Sequence, residues 1–179
     1  MAVHICPWWM GYLLASPIRR FFEKPEELVS PFLHEGMTAV DYGCGMGFFS
    51  LPMARIVGPS GRVIAVDIQE KMLKALQRRA RRANLSNIEP LKPDALDQIP
   101  DRVVDFVAAI HVVHELPDPK AFFREIKRIM RLNSRVLVIE PKFHVTETEF
   151  RNSIGLAKSE GFSPTQDYVP ATRAQILQS

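Results

Sequence analysis

The chain has 179 residues, enough for about one domain. At 46% hydrophobic and 24% charged it has ordinary globular composition, which excludes global disorder. Lys and Arg exceed Asp and Glu by only 23 to 20, a formal net charge of +3, so overall charge does not mark a nucleic-acid binder.

The longest stretch without Lys, Arg, Asp or Glu is residues 1–18, broken by His4, Pro7 and Pro17. It falls short of the ~20 apolar residues that a spanning helix needs. No basic residue precedes its apolar part, so it does not read as a secretory signal. Two cysteines, Cys6 and Cys44, make no disulfide framework, and a cytoplasmic chain with reduced thiols is expected.

The first 35 residues are aromatic and proline-rich, with Trp8, Trp9, Tyr12, Phe21, Phe22 and Phe32 ahead of any strand pattern. They read as a helical cap or a lid over a site, with Trp8, Trp9 and Tyr12 as candidate pocket residues. Peripheral membrane contact is the alternative, although an interfacial helix would want more Lys and Arg on its polar face. Residues 36–179 form the predicted main domain.

Within it, Thr38–Tyr42 is a strand, followed by a glycine loop and a helix over 48–57. Residues 58–61, Gly-Pro-Ser-Gly, turn the chain into a second strand, Arg62–Val66. A helix over 68–83 follows, with Met72, Leu73, Leu76 and Ala80 on one face. Ile88–Leu91 is a third strand. Residues 103–110 are nearly all apolar, as in a strand buried on both faces. A helix over 119–131, a strand over 135–140 and a helix over 146–161 come next. Two shorter strands, 162–168 and 174–177, close the chain. This βαβ rhythm predicts a mostly parallel α/β sheet with right-handed crossovers and helices on both faces.

The basic run Arg78, Arg79, Arg81 and Arg82 falls at the end of a helical pattern, where cations complement the helix dipole. No Phe or Tyr alternates with it, as a base-stacking platform would require. A solvated helix end is the expected reading, and nucleic acid is not the expected partner.

The chemistry concentrates at residues 41–47, Asp-Tyr-Gly-Cys-Gly-Met-Gly, at the carboxyl end of the first strand. Glycines there let the backbone approach a ligand with no Cβ in the way. Dinucleotide spacing, G-x-G-x-x-G, would need a glycine where Phe48 stands, and the Lys-Ser/Thr end of a phosphate loop is absent. Asp41 would repel a pyrophosphate at the helix amino terminus. A ligand with a cationic end and no phosphate fits better. S-adenosylmethionine is such a ligand.

At these residues the chain resembles the class I S-adenosylmethionine-dependent methyltransferases. Asp41, Gly43, Gly45 and Gly47 match that family's D-x-G-x-G-x-G signature in full. Asp67, at the end of the second strand, stands where the family's acid binds both ribose hydroxyls. Ile68 stands where a residue packs on the adenine. Asp94 matches the acid that accepts from the adenine amino group, with the Ala95 N–H beside it. The resemblance implies a Rossmann-like, doubly wound seven-stranded sheet ending in an antiparallel hairpin. Independently of it, one ionised carboxylate can accept two hydrogen bonds from a cis-diol. Helix capping is the competing role for Asp67 and Asp94.

The segment 111–118, His-Val-Val-His-Glu-Leu-Pro-Asp, follows the fourth strand. The resemblance places it against the sulfonium, making His111 a candidate cofactor contact. His114 and Glu115 can serve as general bases if they point into the acceptor pocket. The alternative for both is a surface turn. The H-x-x-H-E order lacks a further ligand at clear spacing, so no metal is expected. Thiolate ligation of a soft acceptor by Cys44 and Cys6 is a weaker idea, because arsenic methyltransferases carry more cysteines at other places.

The resemblance therefore implies a methyltransferase acting on a small-molecule acceptor, nearest to the branch that includes quinone-biosynthesis enzymes. An RNA or protein methyltransferase, or a non-catalytic cofactor-binding protein, is the alternative.

Overall fold

In the computed structural model, residues 24–179 are described. Trp8, Trp9 and Tyr12, the expected lid residues, lie outside them. Seven strands form one sheet: β1 (Thr38–Tyr42), β2 (Arg62–Val66), β3 (Ile88–Leu91), β4 (Val104–Ile110), β5 (Met130–Ile139), β6 (Ser163–Pro164) and β7 (Ala174–Gln178). Their spatial order is β3-β2-β1-β4-β5-β7-β6. β1 to β5 pair in parallel, β7 pairs antiparallel to β5, and β6 closes an antiparallel hairpin on β7. This is the expected seven-stranded fold, and its first three strands have the expected limits.

Period-two alternation of the strands divides the core into two layers. Val40 and Tyr42 of β1 face one layer with Val107 and Ala109 of β4. Helices α4 (Pro119–Ile129) and α5 (Glu147–Ser159) cover that layer with Phe123, Ile126, Phe150 and Ile154. Ala39, Phe106 and Leu137 face the other layer, covered by α1 (Pro25–Val29) and α2 (Ser50–Val57). Helix α3 (Glu70–Arg82) packs Leu73 and Leu76 there against Ala65. Leu28, Val29, Phe32 and Leu33 are buried in this second layer, and the Phe32 ring stacks on Phe106.

The remaining predicted elements differ from their expected limits, α2, β4, α5 and β7 by one or two residues at one end or both. Helix α3 starts at Glu70 and not at residue 68, because the Asp67 carboxylate accepts from the Gln69 N–H and holds the intervening residues in an extended turn. Helix α4 ends at Ile129, and β5 begins at once with Met130. A register shift lies between the Val104–Met130 and Phe106–Arg135 pairs, where Asn133 takes a left-handed φ of 64°. Of the strand expected over 162–168, only Ser163 and Pro164 pair with β7. Beyond them Val169 and Ala171 leave the sheet edge to pack against the second layer.

Candidate active site

Strand order reverses at the β1–β4 boundary: the chain proceeds from β1 outward to β2 and β3, then returns to β4 and proceeds the other way. Crevices at such switch points, outside the carboxyl ends of the strands, are where open α/β sheets bind ligands. The glycine loop and the segment after β4 both stand there.

The loop is pinned by its backbone. The N–H groups of Gly43 and Cys44 both donate to the Val66 carbonyl, at 2.8 and 3.0 Å, and the Gly47 N–H donates to the Cys44 carbonyl at 2.9 Å. A Cβ at Gly43 would come within 2.6 Å of Val112, so the loop and the segment after β4 touch through a missing side chain. Gly45 differs. Its φ is 52°, and a Cβ there would meet nothing within 4 Å. It faces open space at the mouth of the crevice.

Asp41 is buried on the α2 side of β1, and its carboxylate accepts from the Ser50 hydroxyl in the first turn of α2. It therefore ties the helix behind the loop to the strand in front of it. Asp67 accepts from the Gly45 N–H and the Gln69 N–H, each at 2.8 Å, one on each carboxylate oxygen. Burial raises its pKa against the lowering effect of these two bonds. Each oxygen keeps a further lone pair for a ligand donor. Next to it Ile68 leaves 60% of its surface exposed, unusual for a large aliphatic side chain.

Asp94 and Ala95 lie in a 3-10 turn after β3, Pro93–Gln98. Asp94 is exposed and does not cap that turn, which starts from Lys92. The Ala95 N–H is engaged by the Lys92 carbonyl at 3.0 Å.

Past β4, His111 takes a left-handed φ of 59°, uncommon for a non-glycine residue, while its N–H donates to Ile139 at 2.7 Å. His114 and Glu115 close a short 3-10 turn, Val113–Glu115, and their side chains are 26% and 30% exposed. Burial raises the Glu115 carboxyl pKa, with the Glu140 and Asp67 carboxylates adding to it against the lowering effect of His114 and His144. Glu140, just past β5, is buried and stands 2.6 Å from the His114 ring.

Cys44 is also buried, and burial pushes its thiol pKa well up, with the Asp41 and Asp67 carboxylates adding to the rise. Such a thiol is a poor nucleophile and a poor metal ligand. Arg78, Arg81 and Arg82 are exposed, but Arg79 turns inward and donates to the Met46 carbonyl at 2.5 Å. One member of the basic run thus braces the glycine loop and is not part of a solvated helix end.

A family model described as a methyltransferase domain matches residues 33–170. The chain belongs to the class I S-adenosylmethionine-dependent methyltransferases. The demethylmenaquinone methyltransferase of Lactobacillus johnsonii is 30% identical over 124 residues, covering 68% of this chain and 48% of that protein. The one from Geobacillus sp. is 26% identical over 109 residues, covering 60% and 47%. The chain spans about half the length of those curated relatives. A SAM-dependent methyltransferase from Aquifex aeolicus has the same fold with a TM-score of 0.85 and 26% identity, covering 97% of this chain and 98% of that one. A Haemonchus contortus phosphoethanolamine N-methyltransferase 2, solved in complex with S-adenosyl-L-methionine, shares the fold at a TM-score of 0.64 and 18% identity, covering 78% and 36%.

The residues of this chain fit the family's cofactor on three counts. Gly45 opens onto free space, Asp67 keeps acceptor capacity beside it, and Ile68 offers bare apolar surface. Two contributors escaped the sequence. Arg79 was hidden in a run of like residues, and only its i+3 relation to Leu76, on the face packed toward the loop, set it apart. Glu140 looked like an ordinary strand end, marked only by a charge closing an apolar run.

Proposed function

We propose that the protein transfers a methyl group from S-adenosylmethionine to a small-molecule acceptor. The observation that carries this reading is the convergence of the Gly45 backbone and the Asp67 carboxylate at the β1–β4 switch point. Asp67 binds the ribose hydroxyls, and its bond to the Gly45 N–H holds loop and acid in register. Gly43, Gly45 and Gly47 keep the loop backbone bare, and Asp41 fixes it to α2 from behind. Ile68 covers the adenine with its exposed face, while Asp94 stands at the rim to accept from its amino group, with Ala95 beside it. His111 borders the reacting end.

When bound, the cofactor supplies a methyl carbon on an already activated leaving group. The chain's contribution is then to hold the acceptor in line and keep water out. His114 and Glu115, on the loop past β4, provide proton-accepting groups at that side. The curated relatives from Lactobacillus and Geobacillus are named for a quinone-type acceptor, which favours a small organic molecule over RNA or protein. Among the described residues no helix is long and apolar enough to cross a membrane.

Thermal melting with S-adenosylmethionine, its demethylated product and NAD tests the cofactor, since a ligand of the native state raises Tm by mass action. The first two are expected to raise Tm and NAD to leave it in place; an equal shift with NAD contradicts the assignment. Methyl transfer from labelled cofactor across a panel of small acceptors, RNA and protein then tests the acceptor class.

A further inference from the structure

A carboxyl group taken out of water must be hydrogen-bonded to be tolerated. The Glu140 side chain is 1% exposed, and both of its oxygens meet His114. Oε1 accepts the His114 backbone N–H at 3.0 Å, and Oε2 stands 2.6 Å from Nδ1 of the ring. An acceptor at that position places the ring hydrogen on Nδ1 and leaves the lone pair on Nε2. Nε2 lies toward Glu115, 4.0 Å from its Oε1, on a ring that remains 26% exposed.

The topology brings this pair to the crevice. Ile110 and Ile139 are register partners, so the loop past β4 and the end of β5 leave the sheet side by side. The same loop touches Gly43 through Val112.

We propose that Glu140 is the positioning residue of a proton-accepting His114–Glu140 dyad, and that the acceptor gives up its proton from a phenol- or enol-type hydroxyl. The inference rests on the methyltransferase reading and narrows it. The acceptor oxygen's electron pair forms the bond to the methyl carbon, and the pair of the breaking carbon–sulfur bond stays on sulfur. The hydroxyl proton moves to Nε2, leaving an imidazolium held by Glu140. A tertiary amine or thioether has no proton to lose and gains nothing from such a dyad.

The surrounding charges favour that imidazolium. Burial alone lowers the His114 pKa, but the Glu140 hydrogen bond and the carboxylates of Glu140, Glu115 and Glu149 outweigh it and raise the value. Glu149, on α5, itself feels Arg173, and Glu115 feels Asp67 and His144. A weakly acidic hydroxyl loses its proton more readily to a base of raised pKa.

Two readouts test the dyad without turnover. Nitrogen-15 NMR of the full chain reports the His114 tautomer and titration midpoint, in wild type and in the near-isosteric Glu140→Gln. Wild type is expected to hold hydrogen on Nδ1, and Glu140→Gln to lower the midpoint by roughly one pH unit. The second readout is the absorbance of 4-nitrophenol added to protein saturated with S-adenosylhomocysteine, below the solution midpoint of the phenol. Wild type is expected to turn the bound phenol into phenolate, and His114→Asn to leave it protonated. An unchanged His114 titration in Glu140→Gln, no bound nitrophenol, or the same spectrum in His114→Asn would overturn the dyad. Failure of S-adenosylhomocysteine to bind wild type would instead overturn the methyltransferase reading beneath it.

Discussion

The two sides of the β1–β4 crevice are built by different means. On the β1–β2–β3 side the site is largely backbone: three glycines, two N–H groups donated to Val66 and two donated to Asp67. On the β4–β5–β7 side it is side chain against side chain, with His114 and Glu140 separated by 26 residues. A backbone site has local spacing and can be recognised within seven residues of sequence. A side-chain site assembled across two strands has no local spacing, because only the register of β4 and β5 brings its halves together. The first side suits one cofactor shared by many enzymes; the second is free to change with the acceptor.

The largest expected effect lies on the backbone side. Gly43→Val puts a Cβ within 2.6 Å of Val112 at a φ of 77°, so both overpacking and left-handed strain oppose it. Urea denaturation is expected to show a loss of roughly 2–5 kcal/mol. A loss below that range would mean that the two sides are not as tightly joined at Val112 as the structure shows.

Next in size is Asp67→Ala. Calorimetric titration with S-adenosylhomocysteine is expected to show weakening of about 1–3 kcal/mol, the scale for losing hydrogen bonds to a charged group. Unchanged affinity in the folded variant would remove the ribose role. Smaller again is Arg79→Ala, which removes the guanidinium bond to the Met46 carbonyl and is expected to weaken the same binding a few-fold, about 1 kcal/mol or less. Arg81→Ala and Arg82→Ala serve as controls and are expected to change nothing. Equal effects from all three would restore the reading of the basic run as a single charged patch.

The smallest effect separates the sides by pH. The folded-state pKa of His114 is raised above the ordinary 6.5, so its protonation stabilises the fold. That contribution is complete below pH 6.5 and is lost as pH rises through the raised value. Melting temperatures across this window are expected to fall slightly in wild type relative to His114→Asn. Parallel curves would show that Glu140 does not hold the imidazolium.

The same contrast explains how much was legible beforehand. β1, β2 and β3 have their expected limits because turn residues bound each short strand. The start of α3 was misplaced because Asp67, expected as a ligand contact or a cap, also spends an oxygen on Gln69 and delays the helix. The end of α4 was misplaced because Met130 continues the apolar pattern of the helix while already paired with Val104. At the site, the glycine loop is legible from its spacing and Asp67 from the resemblance that the loop carries, whereas the direction in which His114 and Glu115 point is not legible. Glu140 needed the sheet. Its burial cannot be read from a sequence in which it closes one apolar run among several.

The most direct measurement is calorimetric titration of wild type and Gly45→Val with S-adenosylhomocysteine. Gly45 alone in the loop faces open space, so the substitution costs the fold only the roughly 1–2 kcal/mol of left-handed strain while filling the volume assigned to the cofactor. Wild type is expected to bind, and a folded Gly45→Val to show no measurable heat. Undiminished binding in the folded variant would contradict the placement of the cofactor at this loop.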